Sequence, residues 1–393
     1  DGKFERLAND YEYREDYYAG YLMSKVNFLN FMVIGGVRYE KVESEYFVYN
    51  ARDARNTRAQ LMFDTTSYAD NEFLLPMGQI KYSPFDWMDV RYAYTQTLAR
   101  PDYHQMSPKF TISYIGNTVY SGNPSLQPAM AQNHDLNFTF HGNKLGLFSI
   151  GAFYKEIENF TYSASYPLAN AQQASRGNDY TAEAGIDSVS RYQIRRDGQV
   201  MMEPNPSGNI TVYSYVNSPY TATVKGIEFE LQTSLWYLPF PLDGVVLGVN
   251  YSHIESETRY PLYDKESDFS TRPPTITFVD SSRRGRLIDQ PNDIMNSYIG
   301  YDYKGFSTRL SFIFQGDAVS SIGRFPEQDG FTRDYFRIDF SAKQKLPIAN
   351  SELYLDITNL NDEHNESAQR SIGGFTNVQN YGLTASLGIR VRY

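Results

Sequence analysis

Cysteine is absent from all 393 residues, which removes a disulfide framework, Cys-ligated zinc or iron–sulfur centres and any thiol nucleophile. Long apolar runs are missing as well. No stretch approaches the ~18 or more apolar residues of a membrane helix, so helical spans are excluded; a strand-built wall, where only alternate residues meet lipid, is not. A basic excess is also lacking. The net charge of −10 and the want of any phosphate-neutralising tract argue against general nucleic-acid binding. The opening DGKFERLAND is polar and contains no signal peptide. The expectation is a cleaved leader, or a sequence that starts partway along a longer protein.

What is abundant is aromatic. With 34 Tyr and 25 Phe against two Trp, the chain favours residues that suit strands and, for Tyr, positions apolar at one end and wet at the other. Aromatic girdles at membrane interfaces need such residues.

The last thirteen residues, 381–393, give the clearest pattern. Tyr381, Leu383, Ala385, Leu387, Ile389, Val391 and Tyr393 alternate with Gly382, Thr384, Ser386, Gly388, Arg390 and Arg392, the two-residue period of a strand with one apolar face. Globular strands usually run ~3 to 10 residues. A bilayer-spanning strand needs ~9 to 11, and this segment supplies that with interfacial ends. Its terminal aromatic resembles the carboxy-terminal signature of bacterial outer-membrane barrels.

The same alternation recurs upstream. Met88, Val90, Tyr92 and Tyr94 oppose Asp89, Arg91, Ala93 and Thr95, while Ile227, Phe229 and Leu231 oppose Glu228, Glu230 and Gln232. About thirteen strands are predicted, joined alternately by short turns, such as Ser83 to Asp86 and Lys304-Gly305, and long polar loops at 42–71, 99–132, 159–220 and 260–290. That asymmetry belongs to periplasmic turns and extracellular loops. The loop at 159–220 is too long to be structureless and is expected to hold folded elements, with Asp197-Gly198 marking a hairpin. The fold class is therefore all-β, an antiparallel transmembrane β-barrel. An odd strand number points to a chain that begins mid-barrel, since a complete bacterial barrel has an even count.

TQTLARPDY at 95–103, with NPSLQPAMAQNHDLNF, LGLFSIGAFYKEIENF, VKGIEFELQT and GVVLGVNYSHIESET following in order, resembles TonB-dependent outer-membrane receptors of the oligosaccharide-associated kind common in Bacteroidetes. The resemblance implies a 22-stranded barrel, of which residues 1–393 form roughly the last thirteen strands, plugged by an amino-terminal domain that this chain lacks. It further implies coupling through that plug to the TonB–ExbB–ExbD system, outer-membrane lipid around the wall, an extracellular ligand and, in some members, a surface lipoprotein. The function so implied is energised import of a large ligand, an oligosaccharide first. Siderophore or peptide receptors of the same fold, and an outer-membrane barrel enzyme or adhesin, stand as alternatives.

No cofactor, metal or catalytic site is expected. His104, His134, His141, His253 and His364 show no HExxH-type spacing, and no GxSxG elbow is present. Glu228 and Glu230 fit lumen-facing wall charges better than a glycosidase pair, and Asp264, Glu266 and Asp268 lack the EF-hand pattern. The ligand expectation rests on loop aromatics, Tyr103, Tyr114, Tyr120, Tyr162, Tyr166, Tyr180 and Tyr192, whose rings suit stacking beside Asn, Gln and Arg. Of these Tyr103, Tyr120, Tyr166 and Tyr192, with His104, form the candidate site; a loop that packs only on itself explains the same residues.

Overall fold

A computed structural model of the chain describes residues 11–52, 61–113, 118–144, 146–168, 188–189, 194–196, 199–202, 210–272, 275–348 and 350–391. Thirteen strands form one continuous antiparallel path. They are β1 (Tyr11–Phe28), β2 (Phe31–Arg52), β3 (Leu61–Phe85), β4 (Met88–Ala99), β5 (Ala129–Gly142), β6 (Gly146–Glu158) and β7 (Ala222–Ser234), followed by β8 (Val245–Asp268), β9 (Asp293–Tyr303), β10 (Phe306–Gln315), β11 (Tyr335–Lys345), β12 (Ser351–Thr358) and β13 (Thr384–Val391). Each pairs with its predecessor in order, and one further strand, Thr275–Gly285, folds back on β8.

The register turns alternation within strands into continuous surfaces across them. One row runs Tyr82, Val90, Phe138, Ile150, Phe229, Tyr251, Met295, Phe314, Phe336. The next residue along each strand gives the other face, where Asp89, Thr139, Ser149, Glu230, Asn250 and Asn296 lie side by side. A one-residue slip of any strand would exchange the two surfaces locally. Only the first suits hydrocarbon, so it is the lipid face and the second lines the lumen. Polar pairs across the lumen face include Arg309 with Asp302 at 2.8 Å and Arg390 with Glu352 at 2.9 Å.

Short turns close one end of the wall. Lys304 and Gly305 both take positive φ, 46° and 83°, the backbone of a type I′ hairpin whose twist matches that of its flanking strands. At the other end the strands outrun the apolar band. Residues 42–71, expected as loop, are instead largely a continuation of β2 and β3, paired from Val42 opposite Asn71 to Arg52 opposite Leu61; residues 53–60 lie outside the described set. Residues 260–290 are likewise mostly a hairpin, β8 paired with Thr275–Gly285. Past Val42 the outward side of β2 carries Glu43 and Glu45 while Val42, Tyr46 and Val48 stay buried on the inner side, so the lipid signature is lost and the stretch looked like loop. The final strand is shorter than its sequence pattern: β13 ends at Val391, Tyr381 to Leu383 precede it, and Arg392 and Tyr393 lie outside the described residues.

Leu387 is 71% exposed on the lipid face and Ser386 pairs with Asp356 on the lumen face. An arginine facing mid-bilayer lipid costs ~2 to 4 kcal/mol, whereas a lumen arginine stays hydrated. Leu387→Arg is therefore expected to reduce the folded, heat-modifiable fraction on gels well below that of Ser386→Arg; equal yields contradict the face assignment.

Candidate functional site

The long connections fold into a platform on the lumen side of the wall's polar end. After β4 the chain turns through Pro101 into a single helical turn, α1 (Tyr103–Met106). Gln105 Oε1 accepts from the Asp102 amide at 2.9 Å, and the Gln105 amide donates to the Asp102 carbonyl at 2.9 Å. Met106 and Leu126 then bury against Tyr46, with Tyr13 and Tyr215 around them. Tyr46 shares its side of β2 with Arg38 and Glu40, so α1 lies inside the wall. Burial pushes the Tyr46 phenol well above its ordinary range, as expected where nothing stabilises a phenolate.

Strands Phe110–Ser113, Thr118–Ser121, Thr161–Leu168 and Ile210–Asn217 make a four-stranded loop sheet. Residues 159–220 thus hold folded elements, including strands 194–196 and 199–202 paired around residues 197–198, which lie outside the described residues. Val119, Val212, Val216 and Ala164 are buried on one face of this sheet. The other face presents rings. Tyr120 stacks on Tyr213 at 5.1 Å and 14°, and His104 meets Tyr215 edge-on at 5.5 Å, with Nε2 3.4 Å from the Tyr215 hydroxyl.

Two clefts meet at Ser163, Tyr213 and Tyr215. The smaller, about 310 Å³, is lined by His104, Tyr120, Tyr213, Tyr215 and Tyr11 with Lys109 at its side. The larger, about 940 Å³, lies between the loop sheet and the segments 287–289 and 320–325. Rings and hydroxyls make up much of its lining, Phe160, Tyr162, Tyr213, Tyr215, Tyr260 and Phe325 beside Thr161, Ser163, Ser165, Ser281, Ser320 and Ser321; Leu262, Leu287, Ile288 and Ile322 add an aliphatic part, and Asp289 and Arg324 are its charges. The far wall is held by arginines. Arg283 binds Asp329 in two contacts, 3.0 Å for Nη1 to Oδ2, and Arg286 reaches Asp317 at 2.8 Å.

Of the five expected residues, the structure brings His104 and Tyr120 into one cleft. Tyr103 turns to the wall and packs on Tyr13 at 4.3 Å. The side chain of Tyr166 lies outside the described residues, although its backbone pairs with Val212, and Tyr192 lies outside altogether. Tyr213, Tyr215 and Tyr260 were missed. The period-two spacing of Tyr213 and Tyr215 in ITVYSYVN was a usable signal, masked because the segment sat inside a long interruption. The remaining histidines sit elsewhere: His134 at 2.9 Å from the Tyr92 hydroxyl on the outer surface, His253 at 2.8 Å from Asp293, His141 near Asp89 and His364 near Asp362. Among the described residues no three His, Asp or Glu converge as a metal set.

A lipid-faced β-wall with a loop platform over its lumen defines an outer-membrane β-barrel of Gram-negative type, and the sequence comparisons fix which. Residues 2–360 match the family described as TonB dependent receptor-like, beta-barrel, and the chain belongs to that family. It is 24% identical over 326 residues to the probable hemoglobin and hemoglobin-haptoglobin-binding protein 4 of Haemophilus influenzae, covering 78% of this chain and 27% of that protein. In fold it is similar to the hemophore receptor HasR of Serratia marcescens, solved with its hemophore HasA and heme (TM-score 0.59, 11% identity, 96% of this chain and 51% of that one). It is also similar to the ferric-catecholate import receptor Fiu of E. coli K12 (TM-score 0.60, 14%, 96% and 45%) and to the ferric citrate transporter FecA (0.57, 12%, 97% and 46%). The chain thus spans about half the length of those structures and about a quarter of the Haemophilus protein.

Tyr260, 1% exposed, ties the far wall of the larger cleft together: its hydroxyl donates to the Arg286 carbonyl at 2.9 Å and accepts from the Ile288 amide at 3.1 Å. It lies beyond the apolar band, and burial pushes its phenol up to about 12. A phenol raised in the folded state contributes stability that is complete below its unfolded value of about 10 and lost as pH rises through the folded one. Tyr260→Phe, which strands the Arg286 carbonyl and the Ile288 amide, is expected to weaken local closure by about 1 to 3 kcal/mol, seen as faster hydrogen exchange at Ile288. Unchanged exchange there, or an intact segment above pH 12, contradicts this role.

Proposed function

We propose that this barrel segment forms the wall and capture loops of an energised importer, whose ligand is too large for diffusion through porins and binds in the two joined clefts. The supporting observation is the lining of the larger cleft. Six rings and six Ser or Thr side chains line about 940 Å³, with one acid and one base. Rings stack on the C–H faces of sugars while hydroxyls exchange hydrogen bonds with theirs, and near-neutral surroundings do not penalise an uncharged ligand. An oligosaccharide is the first reading on this chemistry. Coupling to TonB belongs to the same reading, through a plug domain supplied by a longer chain.

A second reading has its own support. The Haemophilus relative is named for binding hemoglobin, and the fold neighbours are named for heme, ferric citrate and ferric catecholates. His104 and Tyr215 converge on the smaller cleft at 3.4 Å, and imidazole and phenol are both side chains that ligate haem iron. The two readings place their ligands against different residues.

Calorimetric titration of the full-length receptor with neutral oligosaccharides, haemin, ferric citrate and a ferric catecholate separates them. The first reading expects oligosaccharide binding that Phe160→Ala with Phe325→Ala weakens by about tenfold or more, taking each lost stack as about 1 kcal/mol, while His104→Ala does little. Binding of haemin or a chelate alone, abolished by His104→Ala, establishes the second. Growth on the bound ligand without TonB contradicts energised import.

A further inference from the structure

The LARP motif at the exit of β4 remains unexplained by the clefts themselves, since Arg100 lines neither of them. Its partner is Glu40, on the lumen face of β2 and 7% exposed. Arg100 Nη2 lies 2.7 Å from Glu40 Oε2, while Arg38 Nε donates to the other oxygen, Oε1. The Arg38 guanidinium also reaches the Tyr17 hydroxyl at 3.1 Å, and Arg100 lies over the Tyr17 ring at 5.4 Å. Sixty residues separate Glu40 from Arg100 in sequence, so this contact joins wall to loop.

The wall does not need the second cation. Arg38, two residues along the same strand, already pairs with Glu40, and β1, β2 and β3 are held by their own ladders. What Arg100 adds is a fixed point for the chain two residues before the Asp102 cap of α1. That helix has one turn, too short to hold itself, and its residues divide between the two clefts: His104 lines the smaller and Gln105 the larger. Its far end is tied by the Asn123 amide, which donates to the Gln105 carbonyl at 2.6 Å, and by Met106 against Tyr46 and Leu126.

We infer that Glu40 and Arg100 are positioning residues that lock α1 to the barrel wall and so hold His104 and Gln105 at the mouths of the two clefts; the consequence for ligand binding rests on the function proposed above. Neither touches the ligand. Arg100 has Glu40 as its ion-pair partner while Glu40 keeps Arg38, so removing either end of the Arg100–Glu40 pair severs the contact between loop and wall without leaving Glu40 alone. The loop is therefore released by a single substitution at either end and recaptured when the pair is rebuilt in reverse.

The test uses the full-length receptor in bilayers, carrying Glu40→Gln, Arg100→Gln, or Glu40→Arg with Arg100→Glu. Folding is checked by heat-modifiable gel mobility, which all variants are expected to retain. Two probes need no knowledge of the ligand: deuterium exchange at the amides of Gln105 and Met106, which donate to the Asp102 carbonyl, and the rate at which diethyl pyrocarbonate modifies His104. Each single variant is expected to speed both several-fold, since it severs this wall-to-loop contact, and the reversed pair to bring both back toward the unmodified rates. Unchanged rates in folded single variants overturn the lock, as does a reversed pair no better than the singles, which indicates a bulk effect instead of a specific contact. Titration with the probe that binds the unmodified receptor is the separate arm. Affinity that falls and recovers with the exchange rates supports the positioning of the site; loosened α1 with unaltered affinity leaves the lock standing and contradicts the cleft assignment.

Discussion

Inside a bilayer every backbone donor and acceptor must find a partner within the protein, because lipid offers none. An antiparallel wall satisfies this strand by strand, and its register then decides everything else. With a period of two, each strand delivers one face to lipid and one to water, and thirteen strands in register deliver two continuous surfaces. The lumen surface tolerates Asp89, Glu228, Glu230 and Arg309; the opposite one carries Val90, Phe229, Phe312 and Leu387. Above the band this division has no force, and there the strands broaden into hairpins and a loop sheet whose faces are set by packing on each other.

That boundary also explains what could be read without coordinates. The wall was legible because lipid imposes its period on the sequence, so the alternation over 88–95, 227–232 and 381–391 gave strands, their order and their faces. The turn at Lys304-Gly305 was legible because the strand patterns on either side leave only those two residues between them, one of them a glycine that accepts positive φ freely. Beyond the band the signal fails: β2 and β3 continue past Val42 with charged residues facing outward, and VESEYFVYN, although rich in strand formers and paired as a strand, reads as loop because of the charged RDARNTRAQ beside it. The loop sheet was less visible still. Thr118–Ser121 pairs in parallel with Ile210–Asn217, a contact across about ninety residues that no local pattern announces.

The candidate site follows the same rule. Tyr120 and His104 were singled out because aromatic and imidazole side chains in long loops are conspicuous, and the structure gives them common ground with Tyr213 and Tyr215. Tyr103 shows the limit of that reasoning: its neighbour in sequence faces the cleft while it packs on Tyr13, since one helical turn sends adjacent residues in different directions. The Ser and Thr hydroxyls of the larger cleft come from three separate stretches of chain, so the fold alone assembles them. Family membership agrees with a receptor, and the chemistry of the cleft then bears on which ligand it receives.

The central claim is that register divides β7 into alternating lipid and water faces, and the native absence of cysteine from this chain makes a clean test possible. Single cysteines placed in turn from Gly226 to Gln232 in the membrane-inserted, full-length receptor, made free of other reactive cysteines, are challenged with a charged water-soluble maleimide and a lipid-soluble one. The account predicts that positions 228, 230 and 232 react with the charged reagent and positions 227, 229 and 231 with the lipid-soluble one. Uniform reaction along the strand, or the opposite alternation, contradicts it.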